Sequence, residues 1–358
     1  MKSWDVIVIG GGIIGLSLAI ELRKNGASVL VVERGEPGRE ASHAAGGMLV
    51  ECSLETPKAL QALAAASAQM YPEFVHELQV ESGLRVDLRD QGTIVFAPAE
   101  HVHQRPGFTL EDLLKLLPAP LAELEPALAD FKQPAFYLKE RSVDPRGLTA
   151  AALGAAKHRG VDISSGEEVT AVNLSNGRAC GIATKKTSYL AAKIVNCAGA
   201  WSGQIAPQAF PTRPVKGQML CLLSPSRGLV KHVLRSPEVY VIPRSDGRIL
   251  VGATVEEAGF DKRTDVATIQ RLRRAAIALV PALRDAKILE DWAGLRPGTP
   301  DALPILGATS TPGYYVATGH FRDGILLAPI TARVMAQVIE EKIPDFNPDA
   351  FSPARFPC

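Results

Sequence analysis

Gly10, Gly12 and Gly15 form the pattern Gly-x-Gly-x-x-Gly, and Glu33 follows Gly15 at roughly the twenty-residue spacing at which an acid meets a ribose. The chemistry of such a set is phosphate and ribose recognition. Gly10 permits a tight turn, Gly12 lets a pyrophosphate approach the backbone, and Gly15 lets a helix pack closely on a strand. The pyrophosphate would sit on the helix N-terminus, and Glu33 would accept hydrogen bonds from ribose hydroxyls. That acid favours an unphosphorylated ribose, hence NAD or FAD over NADP. The chain holds no second Gly-x-Gly-x-x-Gly, which a reductase carrying two dinucleotides would need. FAD as the single redox cofactor, reduced directly by a small substrate, fits better.

Three further side chains have the chemistry to hold a substrate. Arg296 stands between a strand-like segment and Pro297-Gly298, where its guanidinium could clamp a carboxylate bidentately or serve a structural ion pair. Tyr240 lies in a run of Val and Ile and reads, on the residues alone, as a half-buried sheet aromatic. Arg322 sits in the Gly-rich stretch before the last helical pattern. Other constellations are weaker. Ser202, Ser224 and Ser245 lack the Gly-x-Ser-x-Gly elbow of a hydrolase. His101-Val-His103 has no third ligand nearby, so no metal site is expected.

These residues need elements to position them. Asp5–Ile9 is a β-branched run of the kind found in buried parallel strands, the residues from Leu16 to Asn25 have helical spacing closed by Gly26, and Ser28–Glu33 is a second strand. Together they form a βαβ unit of about thirty residues. The apolar run Val6–Ile20 is thereby a strand, turn and helix; it is shorter than the ~20 residues a membrane span takes. A Gly/Ala loop covers Ala41–Leu49, a helix is predicted over 57–82, a strand over Thr93–Ala97, and a helix opens at Thr109 with a capping-box pattern. Asp144-Pro145 caps a helix through His158. Strands follow at Val161–Ile163, Val169–Leu174, Ala179–Thr184, Ile194–Asn196, Met219–Leu223, Val239–Ile242 and Ile249–Val251, with helices at about 265–279 and 324–341. Two α/β blocks thus flank a β-rich middle, as in one domain interrupted by another.

The chain's 358 residues carry 39 Lys+Arg against 38 Asp+Glu, a formal charge of +1, which excludes a nucleic-acid or anionic-membrane binder. Arg271-Leu272-Arg273-Arg274, the densest basic run, reads as the solvated face of a helix. Five scattered cysteines (Cys52, Cys180, Cys197, Cys221, Cys358) form no C-x-x-C pair, so a reducing, cytoplasmic compartment is expected.

Several blocks together resemble the FAD-dependent D-amino acid oxidase superfamily, most closely its glycine oxidase branch associated with thiamine synthesis. They are the glycine fingerprint, Ala41–Leu49, Val143–Arg146, Asn196–Ser202, Pro214–Gln218, Val239–Arg244, Trp292–Gly298 and Gly319–Pro329. The resemblance runs almost end to end. It implies a discontinuous, Rossmann-like α/β FAD-binding domain (1–86, 141–212 and 291–358), interrupted by an antiparallel-sheet substrate domain (87–140 and 213–290), α+β overall.

The resemblance also assigns residues. FAD would be held by Gly10, Gly12, Ile13, Ile14, Gly15, Glu33 and Arg34, and by the small-residue segment Ser42, His43, Ala44, Ala45, Gly46, Gly47 and Met48 along the ring. Val169, Ala198, Gly199 and Trp201 would join it, with Arg296, His320, Phe321, Arg322, Asp323, Gly324, Ile325 and Leu326. Gly324 is expected to start a helix whose positive end faces the flavin. Arg296 and Tyr240 would bind a substrate carboxylate, with Arg322 as a second active-site arginine. Asp323 departs from the asparagine expected there, and His43-Ala-Ala-Gly46 matches a stretch through which some relatives attach FAD covalently. The implied activity is oxidation of glycine, sarcosine or a small D-amino acid to an imine, then a 2-oxo acid and ammonia, with oxygen reduced to hydrogen peroxide. A dehydrogenase using another acceptor, or a flavin-binding subunit of a hetero-oligomer, remains the alternative, and homo-oligomerisation is left open.

Overall fold

The fold is taken from a computed structural model that describes residues 2–51, 56–96, 114–116, 118–128, 130–131 and 133–356. The helix predicted from Thr109, the His101/His103 pair, Cys52, Cys358 and the Ala97 end of one strand lie outside the described residues.

The N-terminal unit forms as its pattern dictates. Strand β1 (Ser3–Ile9) leads through the glycine turn into helix α1 (Ile13–Lys24), and β2 (Val29–Glu33) returns parallel to β1, with Val6 opposite Val29 and Ile9 opposite Val32. Gly26, at φ +92°, ends α1 in a left-handed conformation, and Ala27 N–H closes back on the Leu22 carbonyl. Side chains alternate across β1 and β2. Val6, Val8, Val29 and Val31 face a core with α1 and the helices Lys58–Ser82, Pro145–His158 and Ala328–Ile339; Ile7, Ile9, Leu30 and Val32 face a second core with Val172, Phe210 and Tyr314. Burial on both faces explains why these strands read as unbroken apolar runs.

This first sheet has eight strands, in the order Val169–Ser175, Arg178–Thr184, Ser188–Asn196, β1, β2, Asp162–Ser165. Strand Ser188–Asn196 is forked. Its first residues pair antiparallel with Arg178–Thr184 and its last pair parallel with Tyr314–Thr318, which carries Ile305–Ala308.

Among the described residues, a second sheet of eight strands runs Lys287–Gly298, Arg213–Leu223, Arg248–Gly252, Tyr240–Pro243, Val233–Arg235, Thr93–Phe96, Ala135–Leu138, Leu114–Leu116. Helix Val266–Leu279 packs on one face through Ile269, Leu272 and Ala276. The strand pairs of this sheet are antiparallel, as expected, apart from Val233–Arg235 and Thr93–Phe96, which pair in parallel. Those strands come from separate chain segments, so no hairpin imposes an antiparallel pairing. The break expected between 290 and 291 falls inside the strand Lys287–Gly298, which pairs along its length with Arg213–Leu223.

Two local expectations are also corrected. The segment from Ala41 is a short helix, Ala41–Ala44, before it becomes loop and the two-residue strand Met48–Leu49. The last helix begins at Ala328 rather than Gly324. Pro329 has no N–H to return to Ile325, and the carbonyls of Ile325 and Leu326 accept instead from the Tyr71 hydroxyl and from Ser67 Oγ (2.6 Å) on the helix Lys58–Ser82. Asp144 caps Pro145–His158 as expected, its Oδ1 accepting from Arg146 N–H at 3.0 Å. Among the described residues no helix is long and apolar enough to cross a membrane, and no group of three acidic, His or Cys side chains is placed to hold a metal ion.

Candidate active site

A cavity of about 1030 Å³ is lined from both sheets. Its nucleotide end is built by the glycine turn. Gly10 takes φ +109°, and a Cβ there would stand 2.5 Å from the Cys197 carbonyl oxygen; a Cβ on Gly15 would run into the Gly10 carbonyl. At the start of α1, Ile13 N–H donates to Ser42 Oγ at 3.0 Å. The Glu33 carboxylate lies beside the turn, its Oε2 accepting from Gly11 N–H at 2.8 Å and its Oε1 from Gly35 N–H at 2.9 Å. Arg34 stacks on the Trp201 ring, 3.5 Å from its centre, and pairs with Glu40 at 2.8 Å. Asn196 Oδ1 accepts from Ala198 N–H at 3.1 Å and fixes the turn that brings Ala198, Gly199 and Trp201 to the wall beside Val169.

The segment Ala44–Met48 forms the middle of the wall. Gly47, at φ +76°, passes so close to Val143 and Pro145 that no side chain would fit. Ala44 rests on the bare Cα of Gly294, and Gly46 lies against the Tyr240 ring.

At the far end stand the polar residues expected to meet substrate. The Arg296 guanidinium lies flat on Gly217, where a Cβ would come within 2.6 Å of Cζ, and its Nη1 donates to the Thr254 carbonyl at 3.2 Å. It stands beside the Tyr240 phenol, whose hydroxyl donates to Met219 Sδ at 3.7 Å. Gly252 leaves room for that phenol, since a Cβ there would sit 2.7 Å from its oxygen. Burial pushes the Tyr240 hydroxyl above its ordinary pKa, against the pull of Arg296, so it stays protonated at neutral pH.

The turn His320–Ile325 completes the wall. His320 is buried, its Nε2 is 3.1 Å from Thr331 Oγ1, and burial drops its pKa to about 3, so the ring is neutral. Asp323 is pushed up to about 6 by burial, with the neighbouring Arg322 opposing the shift.

Most residues proposed from the sequence therefore converge on one cavity. Three do not line it. Gly15 is buried under the turn, Leu326 is buried in the helical core, and His43 lies off the cavity beside Arg146, where burial and that cation lower its pKa. The glycines Gly217, Gly252 and Gly294 were given no role from the sequence, nor were Trp292 and Arg244. Isolated glycines inside β-like runs signal a close approach and could have disclosed the first three.

The family model described as "FAD dependent oxidoreductase" (DAO) matches residues 5–338. The chain belongs to the DAO family. It is 36% identical over 365 residues to a "Bifunctional protein ThiO/ThiG" of Trichormus variabilis, covering 98% of this chain but 55% of that protein, so the chain spans about half the length of that relative. It is 32% identical over 365 residues to a "Glycine oxidase" of Pseudomonas aeruginosa, with 98% of each covered. The fold superposes on the crystal structure of glycine oxidase from Geobacillus kaustophilus with a TM-score of 0.92 at 29% identity, covering 100% of both chains.

The cavity fits the cofactor of the DAO family. Its volume is at the upper end of the ~300–1,000 Å³ typical of ligand sites, as a dinucleotide requires. Its lining runs from the glycine turn and Glu33 to Tyr240 and Arg296.

Proposed function

We propose that this DAO-family enzyme oxidises a small amine bearing a carboxylate (glycine, sarcosine or a small D-amino acid) to the imine, which water converts to a 2-oxo acid and ammonia, or methylamine in the case of sarcosine. Oxygen is the proposed electron acceptor, giving hydrogen peroxide. The observation that carries this reading is the pairing of Arg296 and Tyr240, laid over Gly217 and Gly252, at the far end of the cavity that begins at the dinucleotide turn. FAD, when bound, supplies the two-electron acceptor.

The chain's residues bind and orient. The Arg296 fork takes both carboxylate oxygens, and the protonated Tyr240 hydroxyl donates to one of them. Holding the carboxylate in this way fixes the α-carbon relative to the Ala44–Met48 wall, the step from which most of the rate gain would come. The N–H proton leaves to water, and no side chain need act as a strong acid or base. In this reading segments 1–86, 141–212 and 291–358 hold FAD, while 87–140 and 213–290 hold substrate. The branch resemblance extends the proposal to thiamine synthesis in the cytoplasm.

Anaerobic addition of glycine, sarcosine, D-alanine and D-proline to the FAD-loaded enzyme tests the reading. Bleaching of the flavin by at least one is expected, and bleaching by none would sink it. Peroxide formed under air, compared with turnover on an artificial acceptor, separates the oxidase from a dehydrogenase.

A further inference from the structure

Arg244 follows the strand Tyr240–Pro243 and is only 4% exposed. Its Nη2 donates to the Gly46 carbonyl at 2.6 Å. Its Nε and Nη1 have no partner among the described residues, although Asp144 and Asp87 face it and Arg248 and Arg89 oppose it. Burial lowers this guanidinium to about pKa 10, still charged at neutral pH. A half-satisfied buried cation is an expensive way to fill space.

Two other side chains grip the same stretch of backbone from different elements. Trp292 Nε1, on the strand Lys287–Gly298, donates to the Ala44 carbonyl at 3.1 Å, and Arg146 Nε, on the helix Pro145–His158, donates to the His43 carbonyl at 3.4 Å. Peptide units are planar and trans, so a carbonyl held outward turns the N–H of the next residue the opposite way. The grips on Ala44 and Gly46 therefore orient the N–H groups of Ala45 and Gly47, both wall residues. Gly46 is also where the Tyr240 ring rests: a Cβ there would be 3.4 Å from Tyr240 Cε2 and 3.6 Å from its oxygen. Tyr240 and Arg244, four residues apart on one chain segment, thus hold the same glycine between them.

We propose that Arg244 is a positioning residue for the oxidation. By holding the Gly46 carbonyl, it sets the backbone wall that faces FAD in register with the carboxylate-binding Tyr240. The inference rests on the proposed function for its substrate half, but its cofactor half can be read without any substrate.

The test compares the FAD-loaded wild type with R244M and R244K by visible circular dichroism of the flavin, FAD affinity and steady-state kinetics on the amine. R244M should change the flavin dichroism and lower kcat/KM by about 10²-fold, the effect of a misplacement near 1 Å. R244K should recover part of both, because one ammonium N–H can still reach toward the carbonyl. A thermally weakened R244M with wild-type flavin dichroism and wild-type kcat and KM would overturn the proposal and leave Arg244 a structural cation. Should R244M fail to fold, R244Q, whose shorter amide cannot reach the Gly46 carbonyl as the guanidinium does, decides; an unchanged flavin dichroism with wild-type kcat and KM there overturns the proposal. If no amine bleaches the wild-type flavin, the functional reading fails while the dichroism comparison still stands.

Discussion

Gly217→Ala isolates the carboxylate clamp from everything else in the cavity. The new methyl would lie 2.6 Å from Arg296 Cζ, whereas carbon contacts settle near about 3.5–4.0 Å, so the guanidinium must retreat by roughly 1 Å. Gly217 sits inside the strand Arg213–Leu223 without a left-handed φ, so alanine suits its backbone. The displaced atoms end a long side chain, which limits the stability loss to about 1 kcal/mol, the low end for overpacking. Catalysis has no such tolerance. A reactant misplaced by about 1 Å costs on the order of 10²-fold, equivalent to about 2.7 kcal/mol of barrier. The assay is kcat/KM on the amine that bleaches the flavin, beside FAD content and melting temperature. The expected result is a roughly 10²-fold fall in kcat/KM with FAD retained and the fold nearly unchanged. Wild-type kcat/KM in a folded, FAD-replete variant would refute the assignment of the carboxylate to Arg296.

Asp323, raised from 3.8 to about 6, keeps a proton in the folded protein that the unfolded chain has lost, so stability falls as pH rises through about 4 to 6. Apoprotein melting temperatures should drop across that window by on the order of 2–4 °C more in wild type than in D323N; parallel curves would contradict the burial of this carboxyl. Because His43 does not line the cavity, acid precipitation of the holoenzyme should release its flavin into the supernatant, and flavin retained in the pellet would show a covalent link. On the proposed amine, kcat/KM should keep rising above pH 7 as the substrate ammonium loses its proton in solution; a plateau from about pH 6 that D323N abolishes would instead make Asp323 the base.

What could be read from the sequence was local. The fingerprint turn, both strands around it and the Asp144 cap depend on neighbours within a few residues, and each stands where the pattern puts it. Tyr240 and Arg296 were legible only as types of residue from the residues alone; the resemblance implied that they act together, but not the glycines Gly217 and Gly252 on two other strands that make room for them. The helix start at Ala328 was misread for the same reason. The groups that take the Ile325 and Leu326 carbonyls are Tyr71 and Ser67, more than two hundred residues earlier in the chain. The grip on His43, Ala44 and Gly46 was likewise hidden, since Arg146, Trp292 and Arg244 share no spacing along the chain.

The near-zero net charge of the chain conceals a sorted interior. Of the titratable groups on the cavity wall, His320 is kept neutral by burial and Tyr240 keeps its proton. Glu33 has each carboxylate oxygen engaged by a backbone N–H at the nucleotide end, and Arg235 is paired with Glu140 at 3.1 Å. Among the described residues, the proposed substrate end carries the Arg296 cation, and burial resists the ionisation of Asp323, a further carboxyl on the wall. A cavity arranged in this way attracts a carboxylate and offers an ammonium group little stabilisation. Under the proposed function, the same wall residues that would select an amino acid by its acid end would also favour entry of the uncharged amine, the form whose nitrogen lone pair can assist loss of the α-hydrogen. On that proposal the acid–base step would move into the solvent equilibrium of the substrate, and the cavity would need no catalytic dyad.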